Sequence, residues 1–263
     1  MSIMNVNDYL KRIKLPSSRT GDAFEDLKKM QIQHLYHVPF ENLDVVNKVP
    51  IELDLTRIYK KIVLNQRGGF CYEINGLFHW LLKQLGYEVK MISSTIAKDK
   101  NHWYKENTHL TSIVTIENVE YLVEVGAGDT VRTPIPLNGE IVEDISGRYR
   151  IDSDGDLLQL QKYVDHEWIP VYRFTTTPKA YSFFEEVCKW NQTSPESHFT
   201  QKMITTMANE TGRVTLTNQE IITTINGKKT KREYSPNELS ELLIDLFGMD
   251  IPIIGQSELN SSI

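Results

Sequence analysis

Residues 66–86, QRGGFCYEINGLFHWLLKQLG, place two glycines and a cysteine directly before an apolar pattern with helical spacing. This pattern predicts an amphipathic helix that ends at Gly86, with an apolar face of Ile74, Leu77, Phe78, Leu81, Leu82 and Leu85. Cys71 therefore falls in the first turn of the helix. The free N–H groups and the positive dipole end there favour a thiolate, and Arg67 adds a nearby cation. The stretch predicts a nucleophilic cysteine.

A second interpretation of Cys71 stays open, because a lone cysteine is more often a small buried apolar residue. The two preceding glycines favour the nucleophile. Tandem glycines indicate either unusual backbone dihedrals or a close approach to the backbone, and both occur where a substrate meets a nucleophile.

Composition restricts the class of protein. The 263 residues are 40% hydrophobic and 24% charged, which is typical of a globular chain with room for two or three subdomains. The net charge of −6, from 29 basic and 35 acidic residues, argues against nucleic acid as a partner, since phosphate binding normally needs a basic surface.

The two cysteines, Cys71 and Cys188, are too few for a disulfide framework and show no CxxC metal spacing. The N-terminus lacks an apolar signal-like segment, and no apolar run approaches 18 residues. We therefore expect a cytoplasmic protein with reduced thiols and no membrane partner. Residues 152–156, DSDGD, predict a turn but no calcium site, because no glutamate stands at the final EF-hand position. The sequence thus predicts no metal and leaves the oligomeric state unknown.

The first 86 residues read as mostly helical, with two segments in residues 1–36 and another over 52–65. Between them Pro39 predicts a loop, HVPFENLDV. Within this loop Glu41 is either solvated or paired with Arg67, and the pair would fix the loop that carries the cysteine.

From residue 88 the pattern changes to short runs rich in Val, Ile, Thr and Tyr, which predict strands. These runs are 88–96, 110–116, 119–125, 157–164 and 168–174. Residues 178–191 return to helix. Strands follow at 211–225 and 228–234 around an Asn-Gly hairpin signal, and a last helix opens at Ser235.

A thiolate needs a base, and the base needs an orienting carboxylate. A hairpin closed by the two residues after 116 would place Glu124 opposite Thr111 and diagonal to His109, on one face of the sheet. A bulge would reverse that face. Asp129 is the alternative carboxylate, although strand alternation favours Glu124.

Four motifs together resemble the arylamine N-acetyltransferase family, in the family's order and with similar separations. They are PFENLDV at 39–45, RGGFCYEIN at 67–75, THL at 108–110 and YLVEVGAG at 121–128. Weaker similarity continues into SPESHF at 194–199 and RVTL at 213–216, so the resemblance covers most of the chain.

The resemblance implies an α+β fold with a helical bundle, a β-barrel and a small α/β lid around a cysteine-protease-like core. We expect residues 1–87 to form the helical bundle with the nucleophile. Residues 88–192 would form the barrel with the histidine and the glutamate, and residues 193–263 would form the lid.

The resemblance also implies a ping-pong reaction that moves an acetyl group from acetyl-coenzyme A through Cys71 to an arylamine, arylhydrazine or arylhydroxylamine. His109 would be the base and Glu124 the third triad member, where the family usually has aspartate. Glutamate is chemically suitable, because both carboxylates are ionised at neutral pH. Two alternatives stay open: a thiol peptidase or transglutaminase-like enzyme, and a coenzyme A-binding pseudoenzyme inactivated by the glutamate.

Glu41 and Arg67 would support this site. We expect further motif residues to bind the coenzyme or the acceptor: Phe40, Gly69, Phe70, Thr108, Gly126, Ala127 and Gly128. Ala127 stands where the family often has phenylalanine, so the acceptor pocket should be wider. Gly126 and Gly128 could instead mark a simple turn at the end of the strand.

Overall fold

The computed structural model describes residues 4–15 and 20–251, which contain eight α-helices and thirteen β-strands. The helices are α1 (Val6–Arg12), α2 (Ala23–His37), α3 (Leu43–Val46), α4 (Leu55–Tyr59), α5 (Cys71–Gln84), α6 (Glu185–Thr193), α7 (His198–Gln201) and α8 (Leu239–Phe247). No helix in these ranges is both long enough and apolar enough to span a bilayer.

Helix α5 begins at Cys71, as the sequence predicted. Its apolar face is buried except at Leu85, which is partly exposed, and Ile74, Leu77 and Leu81 are all 0% exposed. The carboxylate of Glu73, in the first turn, accepts a hydrogen bond of 2.8 Å from the N–H of Phe70. This bond satisfies one of the free donors at the start of the helix. The cysteine therefore lies at a capped and buried helix N-terminus.

Two helices differ from their predicted ranges at one end or in helix type. The helix expected over 52–65 starts late, because the side chain of Asp54 accepts the N–H of Arg57 at 2.8 Å and caps α4. The segment Lys60–Leu64 then continues as a π-helical turn. The helix expected over 178–191 begins as a 3₁₀ turn, Tyr181–Phe184, and continues as α6.

The barrel strands are β2 (Glu88–Ile96), β3 (His109–Ile116), β4 (Val119–Val123), β5 (Ile135–Pro136), β6 (Val142–Asp144), β7 (Gly147–Asp154), β8 (Leu157–Val164) and β9 (Glu167–Phe174). They form one antiparallel sheet in the order β5-β4-β3-β2-β9-β8-β7-β6. The two ends of the sheet approach each other, and the N–H of Arg132 donates to Asp144 at 2.6 Å. The sheet is therefore a nearly closed barrel.

The β3–β4 hairpin has the predicted register, from Ile116 opposite Val119 to Ser112 opposite Val123. Strand β4 ends two residues earlier than the sequence suggested. The predicted turn at 152–156 is wrong for its first three residues, because they belong to β7 and pair with the start of β8.

A second sheet contains β1 (Phe40–Glu41), β10 (Ile204–Asn209), β11 (Gly212–Thr217), β12 (Glu220–Ile225) and β13 (Lys228–Glu233), in that order. The hairpin with Ile225 opposite Lys228 is confirmed. The single strand expected over 211–225 is wrong. The chain turns after Thr217, whose hydroxyl accepts the N–H of Glu220 at 3.2 Å, and two antiparallel strands result.

Among the described residues, three buried clusters fill the interior. The largest surrounds α5, the second fills the barrel, and the third lies between the second sheet and α8. The mixed helix and sheet architecture is therefore confirmed. The second sheet takes β1 from the first 87 residues, so the proposed boundaries at 87 and 192 stay a prediction. Residues 252–263 of the predicted lid lie outside the described ranges.

Candidate active site

The two glycines before the nucleophile candidate are required by packing against their own chain. A Cβ at Gly68 would lie 2.3 Å from the carbonyl oxygen of Pro39. Gly69 donates its N–H to the same carbonyl at 3.1 Å and accepts the N–H of Glu41 at 2.9 Å. The loop before Cys71 is therefore fixed against the Pro39–Glu41 segment, and this packing is by itself a reason for both glycines.

Five charged residues, which we call the charge cluster, lie beneath this loop: the buried carboxylates Glu41, Asp44 and Glu73, and the partly buried cations Lys61 and Arg67. Arg67 binds Glu41 and Asp44, each at 2.7 Å, so the contact predicted between Arg67 and Glu41 is present. Lys61, in the π-helical turn, reaches Asp44 at 2.7 Å and the capping Glu73 at 2.8 Å. The cluster joins the loop, the turn and the start of α5.

His109 and Glu124 are in direct contact at the end of the β3–β4 hairpin. The ring Nε2 lies 2.7 Å from Glu124 Oε2, and both side chains are at most 4% exposed. When Nε2–H donates to the carboxylate, Nδ1 carries a lone pair. This tautomer is the one that can accept a proton from a thiol.

The carboxylate of Glu124 is fully buried and accepts four hydrogen bonds. Oε1 accepts from the N–H of Gly126 at 2.6 Å and from Asn75 Nδ2 at 3.0 Å. Oε2 accepts from His109 and, at 3.2 Å, from the hydroxyl of Tyr172. Burial acts to raise the pKa of Glu124, but the charge of His109 and these hydrogen bonds outweigh it and leave the pKa lowered.

The alternative carboxylate, Asp129, points elsewhere. Its side chain is 52% exposed and lies 3.5 Å from Arg213 Nε. Arg213 in turn donates to the hydroxyl of Thr206 at 2.8 Å and to the carbonyl of Gly128. Asp129 therefore belongs to a contact with the second sheet, and Glu124 is the carboxylate at His109.

The buried environment of Cys71 opposes the thiolate preference predicted from its helix position. Burial raises the pKa of the Cys71 thiol well above its usual value, and the nearby Cys188 and Glu124 act in the same direction. The charge of Arg67 is neutralised by two carboxylates, so it offers little help. The thiol therefore needs a base to remove its proton.

A cavity of about 300 Å³ opens above these residues. Its wall includes Cys71 and His109 together with five of the predicted binding residues: Phe40, Thr108, Gly126, Ala127 and Gly128. Aromatic side chains from other segments complete the wall: Tyr104, Trp190 and Phe199. The sequence thus identified the floor of the cavity but assigned no role to these aromatic residues: Tyr104 and Trp190 lie outside the motifs, and Phe199 lies in the weakly similar SPESHF segment.

The prediction that Gly69 and Phe70 line the binding site is wrong. Phe70 is 0% exposed and packs behind the wall, with ring centroids 5.9 Å from Phe40 and 4.5 Å from Phe199. Gly69 faces the interior, where a Cβ would lie 3.0 Å from Ile62. Both residues support the cavity from beneath because the loop is folded inward.

Glycine is favoured at positions 126 and 128 for different physical reasons. A Cβ at Gly126 would lie 3.1 Å from Cys71 Cα and 2.6 Å from Asn75 Nδ2, so only glycine lets the strand end approach the nucleophile. Gly128 has φ = +70°, which L-residues rarely adopt. The two glycines allow the chain to turn while it stays against α5.

Two further residues organise the site, and sequence reasoning missed them both. Asn75, one turn after Cys71, donates to Glu124 and to the carbonyl of Leu110 at 2.7 Å, and accepts the N–H of Val125 at 3.2 Å. A polar residue on the buried face of α5 was the available signal. No local sequence signal pointed to Tyr172, because only the pairing of β9 with β2 brings it near Glu124.

A hydrogen-bonded link also joins the neighbours of the two candidate catalytic residues. Tyr72, which follows Cys71, donates its hydroxyl to the carbonyl of Thr108, which precedes His109, at 2.6 Å. Asn191 of α6 donates to the Tyr72 hydroxyl at 2.8 Å.

Within residues 4–15 and 20–251, no group of three or more His, Cys, Asp or Glu side chains could hold a metal ion.

Solved structures of known proteins share this architecture. An arylamine N-acetyltransferase from Bacillus cereus, described as having a Cys-His-Glu catalytic triad, matches with a TM-score of 0.87 at 27% identity and covers 95% of this chain and 100% of its own. One from Mycobacterium marinum in complex with CoA matches with a TM-score of 0.88 at 27% identity, covering 98% and 97%. The predicted α+β fold around a cysteine-protease-like core is confirmed.

The sequence comparisons agree. An arylamine N-acetyltransferase from Escherichia coli (strain K12) is 28% identical over 251 residues, which cover 94% of this chain and 89% of that protein. A family model described as N-acetyltransferase matches residues 23–255. The chain therefore belongs to the arylamine N-acetyltransferase family of acyltransferase enzymes.

Proposed function

We propose that this enzyme moves an acetyl group from acetyl-coenzyme A through Cys71 to the nitrogen of an arylamine, arylhydrazine or arylhydroxylamine, in ping-pong order. Cys71, His109 and Glu124 would be its catalytic residues. The observation that carries the proposal is the 2.7 Å contact between His109 Nε2 and a fully buried Glu124, in a cavity that also contains Cys71. The matched structures with a Cys-His-Glu triad and with CoA support it.

The first half-reaction follows from the arrangement of these groups. His109 Nδ1 removes the proton of the Cys71 thiol, and the sulfur attacks the carbonyl carbon of the thioester. The tetrahedral intermediate collapses, the coenzyme A sulfur leaves, and the imidazolium returns the proton to it. Glu124 stabilises the imidazolium while it exists. We assign the N–H of Cys71 as one donor to the oxyanion.

The second half-reaction uses the same base. The amine nitrogen attacks the carbonyl carbon of acetyl-Cys71, and His109 removes a proton from that nitrogen. The sulfur of Cys71 then leaves and takes the proton back from the imidazolium. The products are the acetylated acceptor and the free enzyme.

The size and lining of the cavity fit both substrates. At about 300 Å³ it can hold the acetylated end of the pantetheine arm, while the nucleotide of coenzyme A stays outside. After the coenzyme leaves, the aromatic residues Phe40, Tyr104 and Phe199 offer surfaces for an aryl ring. Ala127 leaves room where the family often has a phenylalanine ring. We infer a preference for bulky acceptors.

We also infer that the enzyme works in the cytoplasm, whose reducing conditions keep its thiols reduced. Cys71 and Cys188 are free cysteines in the structure.

Burial raises the pKa of the Cys188 thiol to about 12, so this second cysteine is a poor nucleophile.

The decisive experiment follows the release of coenzyme A. With acetyl-coenzyme A alone, we expect one equivalent of coenzyme A per enzyme and an acetyl group on the Cys71 peptide. Continuous release should start only when an arylamine is added. Cys71→Ser should abolish both events, and Cys188→Ala should change neither. Peptide cleavage without coenzyme A would indicate a thiol peptidase, and no acetylation at all would indicate a pseudoenzyme.

The pH dependence of Cys71 alkylation tests the role of His109. Because burial raises the pKa of the thiol, only a neighbouring imidazole can give alkylation by iodoacetamide near pH 6. His109→Gln should move the alkylation profile upward, beyond about pH 9. An unchanged profile would remove His109 from the mechanism.

A further inference from the structure

Asn191 of α6 is a buried residue on the cavity wall that the proposed mechanism does not use. It is 4% exposed and lines the cavity that contains Cys71 and His109. Its side chain donates to Tyr72, which follows Cys71, and to the carbonyl of Thr108, which precedes His109. The Asn191 amide therefore lies beside both the nucleophile and the base.

The hydrogen bonds around Asn191 determine the orientation of its amide. The Tyr72 hydroxyl gives its hydrogen to the carbonyl of Thr108 at 2.6 Å, so its oxygen can only accept from Asn191. The Thr108 carbonyl can only accept as well. The NH₂ group of Asn191 must therefore face these two acceptors, at 2.8 and 3.2 Å, and both of its hydrogens are used.

The amide oxygen Oδ1 of Asn191 is in a different position. Within residues 4–15 and 20–251, no group donates a hydrogen bond to this oxygen. A buried carbonyl oxygen without a donor is costly, so one that lies in a site indicates a donor from outside the chain. Because the NH₂ group occupies the protein side, Oδ1 is the end of the amide that a molecule in the cavity can use.

We propose that Asn191 Oδ1 recognises the acceptor nitrogen by accepting one of its N–H groups in the second half-reaction. The inference rests on the proposed function and deepens it, because it names a residue that selects primary amines. The attacking nitrogen carries two hydrogens. His109 removes one as a proton, and the other stays on the nitrogen in the product and points to Oδ1. The nitrogen becomes positive while its bond to carbon forms, so this hydrogen bond strengthens toward the transition state.

This arrangement predicts a preference for primary over secondary amines. An N-methyl amine has a single hydrogen, which His109 must remove, so Oδ1 would stay buried without a donor. A site that hydrogen-bonds a substrate N–H discriminates against an analogue that lacks it. An arylhydroxylamine, which also has one N–H, would offer its hydroxyl hydrogen to Oδ1 instead.

Asn191→Leu, with the two half-reactions measured separately, tests the proposal. Leucine keeps the volume of the side chain but has no oxygen. Acetylation of Cys71 by acetyl-coenzyme A should stay within about threefold, because no amine takes part in it. Transfer from acetyl-Cys71 to aniline should slow roughly ten- to a hundredfold, because a hydrogen bond to a charged group is lost.

Gln192→Met is the matched control on the same helix. The Gln192 amide binds the N–H and the carbonyl of Ile51, at 2.7 and 3.1 Å, instead of lining the cavity. This variant should lower the melting temperature by a comparable amount and leave both half-reactions unchanged. Equal slowing of both half-reactions by Asn191→Leu would show that Asn191 is only structural. Slowing of the first alone would assign Oδ1 to the coenzyme and overturn the proposal.

A comparison of two acceptors removes the dependence on folding. The unmodified enzyme should acetylate aniline faster than N-methylaniline, and Asn191→Leu should lower this ratio of rates by about tenfold or more. The steric effect of the methyl group cancels when the two ratios are compared. An unchanged ratio would overturn the inference alone. Failure of the unmodified enzyme to form acetyl-Cys71 would instead overturn the proposed function.

Discussion

Buried carboxylates lie on two sides of helix α5, and they are held in different ways. In the charge cluster, Glu41, Asp44 and Glu73 are paired with two cations, Lys61 and Arg67. On the other side Glu124 binds three neutral donors and one histidine. The cluster holds a net charge near −1 in a fixed arrangement of ion pairs, whereas the charge of Glu124 has no fixed cation beside it.

This difference in charge balance indicates a structural role for the charge cluster and a chemical role for Glu124. Lysine and arginine stay protonated through the working pH range, so the ion pairs of the charge cluster persist and hold the loop in place. Neutral donors stabilise Glu124 as an anion without cancelling its charge. The remaining charge is available to orient and stabilise the His109 imidazolium.

The largest expected effect comes from Glu124→Gln, which should slow single-turnover acetylation of Cys71 at least a hundredfold, and on the order of 10⁴ at most. The amide oxygen can accept from Asn75 and Gly126, while the amide NH₂ would face His109 and impose the wrong tautomer. The melting temperature should change little because the hydrogen bonds can be re-formed. A rate near that of the unmodified enzyme would contradict the chemical role of Glu124.

Lys61→Met should break the charge cluster and destabilise the fold by about 3–5 kcal/mol, because three buried carboxylates would share one cation. Burial already raises the pKa of Glu73, and removing Lys61 raises it further. A carboxyl with a raised pKa binds more protons in the folded state, so the loss should be larger near pH 8 than near pH 5.5. Urea unfolding at both pH values measures it.

Lys60→Met is the control for that experiment, since Lys60 lies in the same π-helical turn but is exposed. Its free energy of unfolding should change by at most about 0.5 kcal/mol at either pH. A pH-independent loss in the Lys61 variant would mean that packing, not charge, explains it.

A smaller effect is expected in the coupling between Glu41 and Arg67. Glu41→Gln and Arg67→Met should each lower stability and activity. The double variant should cost less than the sum by about 1 kcal/mol or more, because the residues are in contact at 2.7 Å. Additive free energies of unfolding would show that Lys61 and Asp44 alone hold the cluster together.

The smallest effect is expected for Asp129→Asn, at most about threefold in acetylation rate. Its side chain is half exposed and bound to Arg213, so solvent screens its charge. A loss comparable to that of Glu124→Gln would reverse the assignment of the orienting carboxylate.

Local patterns predicted the elements that bear the site. The helical spacing placed Cys71 at the start of α5, and the two-residue turn fixed the register that brings His109 and Glu124 together. Local patterns failed where distant contacts decide the outcome. The turn after Thr217 divides a segment that reads as one strand, and a π-helical turn points Lys61 into a cluster built from three other segments.

The sequence by itself identified Cys71, His109 and Glu124 as candidates for the nucleophile, the base and the carboxylate, from one helical pattern, one hairpin and the family resemblance. Tertiary structure alone decided the burial of these residues and the charges around them. Burial raised the pKa of Cys71 against the expectation from its helix position, and pairing in the charge cluster neutralised Arg67. Tyr172 reached Glu124 only through strand pairing across 48 residues. Desolvation and long-range contacts depend on the whole packed chain, so no local window of the sequence contains them.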